Sequence, residues 1–276
     1  PRSTPLYSSA ASDVYKRQNF NTAFGSCSLF ANTTGAKNTA VGYTAMVSNT
    51  TGGNNVAVGY ESLKLNTTGN FNTASGMYAL KSTTSGSYNT GIGYNAVTSN
   101  TTAAHNTGVG YRALQSTTTG AKNTAVGDSV MVLNTTGAEN VALGMQALQD
   151  NTTASNNTPI GTHALRLNTS VHSNVAVGAY ALDANTTGDK NVAVGKGALR
   201  LNETGTPNTA VGVEALTTNT TALGASAGTT ITHNSHGLST GDKVIYTAGG
   251  TALNNLTSGQ TYYAIKVNDN TFRLAN

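Results

Sequence analysis

The chain has 276 residues and a formal net charge of +4, with only 9% Asp, Glu, Lys and Arg, about a third of the usual share of charge. That scarcity excludes a highly charged disordered tail and gives no basis for a nucleic-acid partner or a charged membrane surface. Cys27 stands alone, which excludes an internal disulfide, and no apolar run approaches the ~20 residues that span a bilayer, so membrane insertion is not expected.

Residues 1–18 carry Arg2, Lys16 and Arg17 against Asp13, half of the formal charge. They match no phase of the repeat that begins at residue 19 and read as an adapter-like, non-native segment, set aside from the fold. From residue 19 a single pattern takes over. Asn occurs at Asn21, Asn38, Asn55, Asn72, Asn89, Asn106, Asn123, Asn140, Asn157, Asn174, Asn191 and Asn208, every 17 residues without an insertion. With each of these Asn residues as unit position 1, position 5 is always Gly and position 9 always Leu, Met or Val. Position 12 is Asn except at Thr83 and Thr117, and position 14 is Thr or Ser.

A 17-residue unit is too short for a helix pair, and its Gly at position 5 and Thr-Thr-Gly run disfavour any helix. The spacing predicts a strand over positions 1–5, with positions 2 and 4 facing inward. A second strand is expected over positions 8–11, with the Leu of position 9 and Leu65, Leu133, Leu167 and Leu201 of position 11 also inside. Turns are expected around Gly at position 5 and at Asn-Thr-Thr-Gly. The fold class is therefore all-β: a single-stack β-solenoid or β-roll of twelve 17-residue coils over residues 19–228, a rod of about 58 Å at roughly 4.8 Å per coil. Stacking like on like turns the Asn columns into amide ladders, and the position-14 hydroxyls are expected to do the same. Small residues at position 3 (Ala40, Ala57, Gly91) sit on the face predicted to point outward. They imply that a second surface closes on it, with tight coil packing as the simpler alternative, and a homotrimer is the expected assembly.

From Thr229 the texture changes. Thr229–His233, Lys243–Thr247, Thr261–Val267 and Thr271–Ala275 read as strands of an incomplete small all-β module over 229–276.

Units such as Asn38-Thr39-Ala40-Val41-Gly42-Tyr43-Thr44-Ala45-Met46 with Asn49-Thr50-Thr51-Gly52 resemble the repeat region of phage tail fibres, of the type that precedes endosialidase-chaperone domains. They are also similar to the head repeats of trimeric autotransporter adhesins. The resemblance implies a trimeric, virion-borne or extracellular fibre. The His-Gly-Leu-x-x-Gly-Asp element that begins at His236 is similar to a small module of phage structural proteins and favours the virion.

The chemical motifs lack the partners that their chemistry needs. Gly224-Ala225-Ser226-Ala227-Gly228 has the nucleophile-elbow spacing, but His233 and His236 precede Asp242, the wrong order for that triad. His105, His163 and His172 occupy different unit positions and cannot form a metal ladder. No enzyme, no cofactor and no metal is expected. Tyr43, Tyr60, Tyr94 and Tyr111 share position 6 and form the candidate glycan contact, with ring-on-ring packing as the simpler use. The expected function is a tail-fibre shaft with a candidate role in attachment to a host receptor or glycan, and a bacterial surface adhesin is the alternative. Ice binding is remote, because the adjacent Thr residues of positions 13 and 14 point apart in a strand.

Overall fold

The computed structural model describes residues 20–217 and four strand segments at 231–232, 243–245, 261–268 and 271–275. The adapter-like segment and the Gly224–Gly228 stretch lie outside these residues. Among the described residues there is no helix. Twelve three-residue strands, from β1 (Thr22–Phe24) to β12 (Thr209–Val211), form one sheet in strict chain order. Each strand pairs parallel with the next at an offset of one unit, as in Thr39↔Val56, Ala40↔Ala57 and Val41↔Val58. This is the β-solenoid that the 17-residue spacing predicts.

Two details of the coil differ from expectation. The strand is turned the other way: position 3 points inward and positions 2 and 4 outward. Ala40, Ala57, Ala74, Ala125 and Ala176 are fully buried, whereas Val56 and Val58 are exposed. The reason is room. A Cβ added at Gly91 would lie 3.0 Å from Cγ of Leu80, so position 3 abuts the position-9 side chain of the preceding coil. A narrow coil that holds Leu on one wall accepts only a small residue on the other, Ala or Gly in every coil except at Pro159. The small residues of position 3 therefore serve coil packing and do not meet a second surface.

The second strand is absent. Positions 6–11 form a run of tight turns in which positions 7 and 9 both have positive φ, 50° at Thr44 and 51° at Met46. Hydrogen bonding explains this conformation. The Thr44 amide donates to the Ser26 carbonyl of the coil before (2.9 Å), and the Met46 amide donates to the Ser62 carbonyl of the coil after (3.0 Å). The positive-φ residues therefore send their amides to the coils on either side. The Ala45 and Val47 amides after them bond back within the coil, to Gly42 (3.4 Å) and Thr44 (3.3 Å), in a backbone more contracted than a strand. Each left-handed residue costs about 1–2 kcal/mol. Full burial of the Leu at position 9, as at Leu63, Leu114 and Leu148, returns about 1.5–3 kcal/mol. The same contraction turns position 11 outward, and Leu65, Leu133 and Leu201 are exposed rather than internal.

The core is thus a column of Ala at position 3, mostly Ala at position 8 and Leu, Met or Val at position 9. Pro159 takes position 3 in β9 (Thr158–Ile160), and its pairing with β8 (Val141–Leu143) is registered only at Leu143↔Ile160, consistent with a residue that has no amide hydrogen to give. In the C-terminal region β13 (Ile231–Thr232), β14 (Lys243–Ile245), β15 (Thr261–Asn268) and β16 (Thr271–Ala275) form an antiparallel sheet in the order β13-β16-β15-β14. All four lie where the sequence places strands.

Candidate functional site

The predicted Asn columns are internal and structural. In the position-1 column the backbone amide of each Asn donates to the side-chain oxygen of the Asn one coil earlier: Asn38 to Asn21 (2.8 Å), Asn55 to Asn38 (3.0 Å), Asn72 to Asn55 (2.8 Å). Its side-chain nitrogen reaches across the coil, as Asn38 Nδ2 does to the Gly52 carbonyl (2.9 Å). In the position-12 column Asn49 Nδ2 donates to Asn32 Oδ1 (2.8 Å) and to the same Gly52 carbonyl (3.0 Å). One carbonyl therefore receives both columns and ties the strand to the opposite turn. Beside them a hydroxyl ladder runs on position 13, where Thr50 Oγ1 donates to the Thr67 carbonyl (3.0 Å) and Thr67 Oγ1 to that of Thr84 (3.0 Å). The sequence pattern places that ladder on position 14, but it is the position-13 hydroxyl that lies against the next coil.

Three side-chain oxygens of the position-12 column, Asn66 Oδ1, Asn100 Oδ1 and Asn168 Oδ1, are buried without a hydrogen-bond partner. Above the first two stand Thr83 and Thr117, which have no side-chain amide to offer; above the third Asn185 turns its Nδ2 to the Gly188 carbonyl (2.7 Å). A buried unpaired acceptor costs about 1–3 kcal/mol. Thr83→Asn and Thr117→Asn are each expected to stabilise the rod by about 1 kcal/mol, raising the melting temperature by about 2–4 °C. Thermal unfolding followed by circular dichroism checks this, and a fall in melting temperature would contradict the ladder.

The surface available to a partner is the outer face of the twelve-stranded sheet. Position 2 is Thr or Val in every coil, and position 4 is apolar in every coil except at Ser75. Two rims border this face. On one side, Tyr43, Tyr60, Tyr94 and Tyr111 do come together, and Tyr78 of position 7 fills the gap left by Met77. Centroid separations along the series Tyr43–Tyr60–Tyr78–Tyr94–Tyr111 are 5.3, 5.5, 6.2 and 5.6 Å. Tyr78 escapes the sequence pattern because it sits one position out of phase, and only the packed corner shows that it belongs. On the other side, at position 17, Phe71, Tyr88 and His105 stack at 5.0 Å and 5.0 Å, with planes within 8° and 1°. That second ladder is legible as three rings at 17-residue spacing.

Charge is sparse and locally compensated. Lys64 and Lys81 both lie 2.8 Å from the Glu61 carboxylate. Their hydrogen bonds hold its pKa below the ordinary carboxylate value. Arg166 pairs with Asp183 at 2.9 Å and Lys122 with Glu139 at 2.8 Å. The histidines are dispersed: His105 lies on Tyr88, His163 packs edge-on against Tyr180, and His172 Nδ1 accepts the Ser155 amide. Among the described residues no cluster of three His, Cys, Asp or Glu side chains could hold a metal.

With rims included, the face measures about 20 Å by 55 Å, on the order of 1,000 Å², with an apolar column at position 4 beside a position-2 column that is Thr in eight of the twelve coils. No family model, no curated protein and no solved structure matches the chain.

Proposed function

We propose that this chain is a structural fibre segment, the shaft of a phage tail fibre, in which the outer sheet faces of three copies pack together. The observation that carries the reading is the unbroken outer face: twelve strands in one register, with small β-branched or apolar side chains at positions 2 and 4 and ring ladders along the borders. Burial of such a face stabilises association at roughly 25 cal/mol per Å² before entropic costs. The work of a shaft is mechanical, since each coil braces its neighbours through amide ladders and holds a tip at a distance. In this reading the chain is not an enzyme and needs no cofactor, and it belongs to the virion. The same rod would also serve a bacterial surface adhesin, and neighbouring genes for tail and baseplate proteins, or for an outer-membrane anchor, separate the two.

The tyrosine ladder supports packing over sugar binding. Tyr43–Tyr60 and Tyr94–Tyr111 lie face to face at 15° and 11° and cover one another's faces, the surfaces a sugar would need. Tyr78 meets Tyr60 and Tyr94 edge-on at 82° and 64°, so the rings are engaged with one another. Ice binding finds one interrupted Thr column at position 2 beside a Val-type column at position 4, without the second hydroxyl column that a flat lattice requires.

Light scattering coupled to size-exclusion chromatography on the whole chain is the test. The expected mass is three times the 28.0 kDa of one chain, in particles that electron microscopy shows as rods. A folded monomer at micromolar concentration overturns the association, and thermal hysteresis would favour the ice-binding reading instead.

A further inference from the structure

Resting on that association, we infer that the copies pack parallel and in register about an axis along the rod, so that the position-6 rim of each chain meets the position-17 rim of its neighbour at the same coil level. Around such an axis one edge of a face meets the opposite edge of the next face, and each residue five places after a position-1 Asn opposes the residue just before that Asn. An antiparallel pairing would bring position 6 against position 6 with the levels reversed.

Level by level, the chemistry of the two rims corresponds. The ring stretch of position 17 falls within the longer one of position 6: Tyr94 is level with Tyr88, Tyr111 with His105, and the Met77 thioether with Phe71, a pairing sulfur and rings favour, while Tyr60 is level with Asn54. At the second coil Tyr43 is level with the Lys37 cation. One coil beyond the rings, Asp128 is level with Lys122. Both are exposed, and Asp128 forms no ion pair in its own chain among the described residues. Lys122 holds Glu139 of the next coil and is a flexible donor with hydrogens to spare. At the tenth coil both rims become small, Ala179 beside Ser173. Two levels run against the pattern: Met145 is opposite Glu139, which Lys122 already holds, and Lys196 is opposite Lys190, whose charge is shared with Asp189 at 3.5 Å. Large groups therefore meet over the fourth to sixth coils and opposite charges meet at the seventh, and shifting one chain by three coils would set Asp128 beside Ser173 and leave Lys122 without its mate.

Within one chain the two rims are six extended residues apart, about 20 Å, far beyond the ~7 Å between Cα atoms that a disulfide tolerates. Cross-linking between them must therefore join different chains. In a Cys27→Ser background, Lys122→Cys with Asp128→Cys, and separately Ser173→Cys with Ala179→Cys, are oxidised in the assembled protein. Both matched pairs are expected to yield a covalent three-chain species on non-reducing gels that returns to single chains on reduction. The mismatched pair Lys122→Cys with Ala179→Cys, about 14 Å apart along the rod, is expected to yield none.

A product that stops at two chains overturns the three-fold arrangement. Cross-linking of the mismatched pair, or of Asp128→Cys alone, overturns the register. Assembly that scattering confirms but neither matched pair cross-links also overturns the register and leaves the association standing. A monomer removes both. Measuring the mass of each variant before oxidation separates a failed fold from a failed contact.

Discussion

Asn123→Ala is expected to destabilise the rod by about 3 kcal/mol, far more than an exposed polar truncation. Asn123 is fully buried in the seventh coil. Its side-chain oxygen accepts both the backbone amide and Nδ2 of Asn140 at 3.1 Å, and its own Nδ2 donates to the Gly137 carbonyl at 2.8 Å. Alanine leaves the Asn140 amide buried and unpaired and removes one of the two donors on Gly137, at about 1–3 kcal/mol per orphaned group. The same change at Asn21, which is half-buried at the first coil, is expected to cost less than half as much, because water can enter the space that its side chain leaves and reach the Asn38 amide and Gly35 carbonyl. Denaturant titration of the two variants compares them, and equal effects would show that the column is not an internal ladder.

Asn123→Asp adds a test with a sign. Burial raises a carboxyl pKa, so the folded state would hold its proton to higher pH than the unfolded chain. Folded-state stability is then greatest below about pH 4 and falls as pH rises, until the folded-state pKa is passed. A flat profile at this position would mean that the site is solvated, and a stability that rises with pH would mean that the two N–H donors of Asn140 favour the carboxylate more than burial penalises it.

Gly144→Ala is expected to be at least as damaging and to act locally. Gly144 has φ of 120°, and an added Cβ would lie 2.7 Å from the carbonyl carbon of Gly161 in the next coil. The backbone conformation alone costs a side chain about 1–3 kcal/mol, and the overlap is with main chain that is itself paired. We expect a loss of more than about 3 kcal/mol, with amide exchange accelerated in the coils on either side of position 144. Gly197→Ala is the control. Its φ is 65°, and the nearest atom to an added Cβ is Glu214 Cγ at 3.4 Å. Tyr180 and Glu214 hold the same unit position at 60° and 56°. A loss of about 1–2 kcal/mol is expected, the ordinary cost of a left-handed side chain with no overlap added. Equal damage at both glycines would remove the distinction between a site that lacks room and one that merely has an unusual φ.

The period, the strand after each Asn, the absence of helix among the described residues and the internal amide columns were all readable from residue identity and spacing. A 17-residue repeat without insertions leaves few structures other than a stack of equal coils, and an Asn that recurs at every level must find partners above and below. The four C-terminal strands were readable for the ordinary reason that β-branched and aromatic runs lie between turn residues. The position-6 tyrosines were readable as a column. Tyr78 was not, because a residue one place out of phase joins the column only once the corner is packed.

What residue identity determined on its own was the architecture: a solenoid, its period, and which residues stack. What the tertiary structure decided was the direction each face points. Alternation at positions 2–4 is the same pattern read from either side, so Ala inside with Val outside cannot be told from the reverse until the Leu of position 9 claims the interior. The turn run at positions 6–11 was hidden for a related reason. Local preference opposes positive φ at Thr44, Leu63 or Tyr78, and only amide bonds to the coils above and below, together with burial of position 9, make that conformation the favoured one.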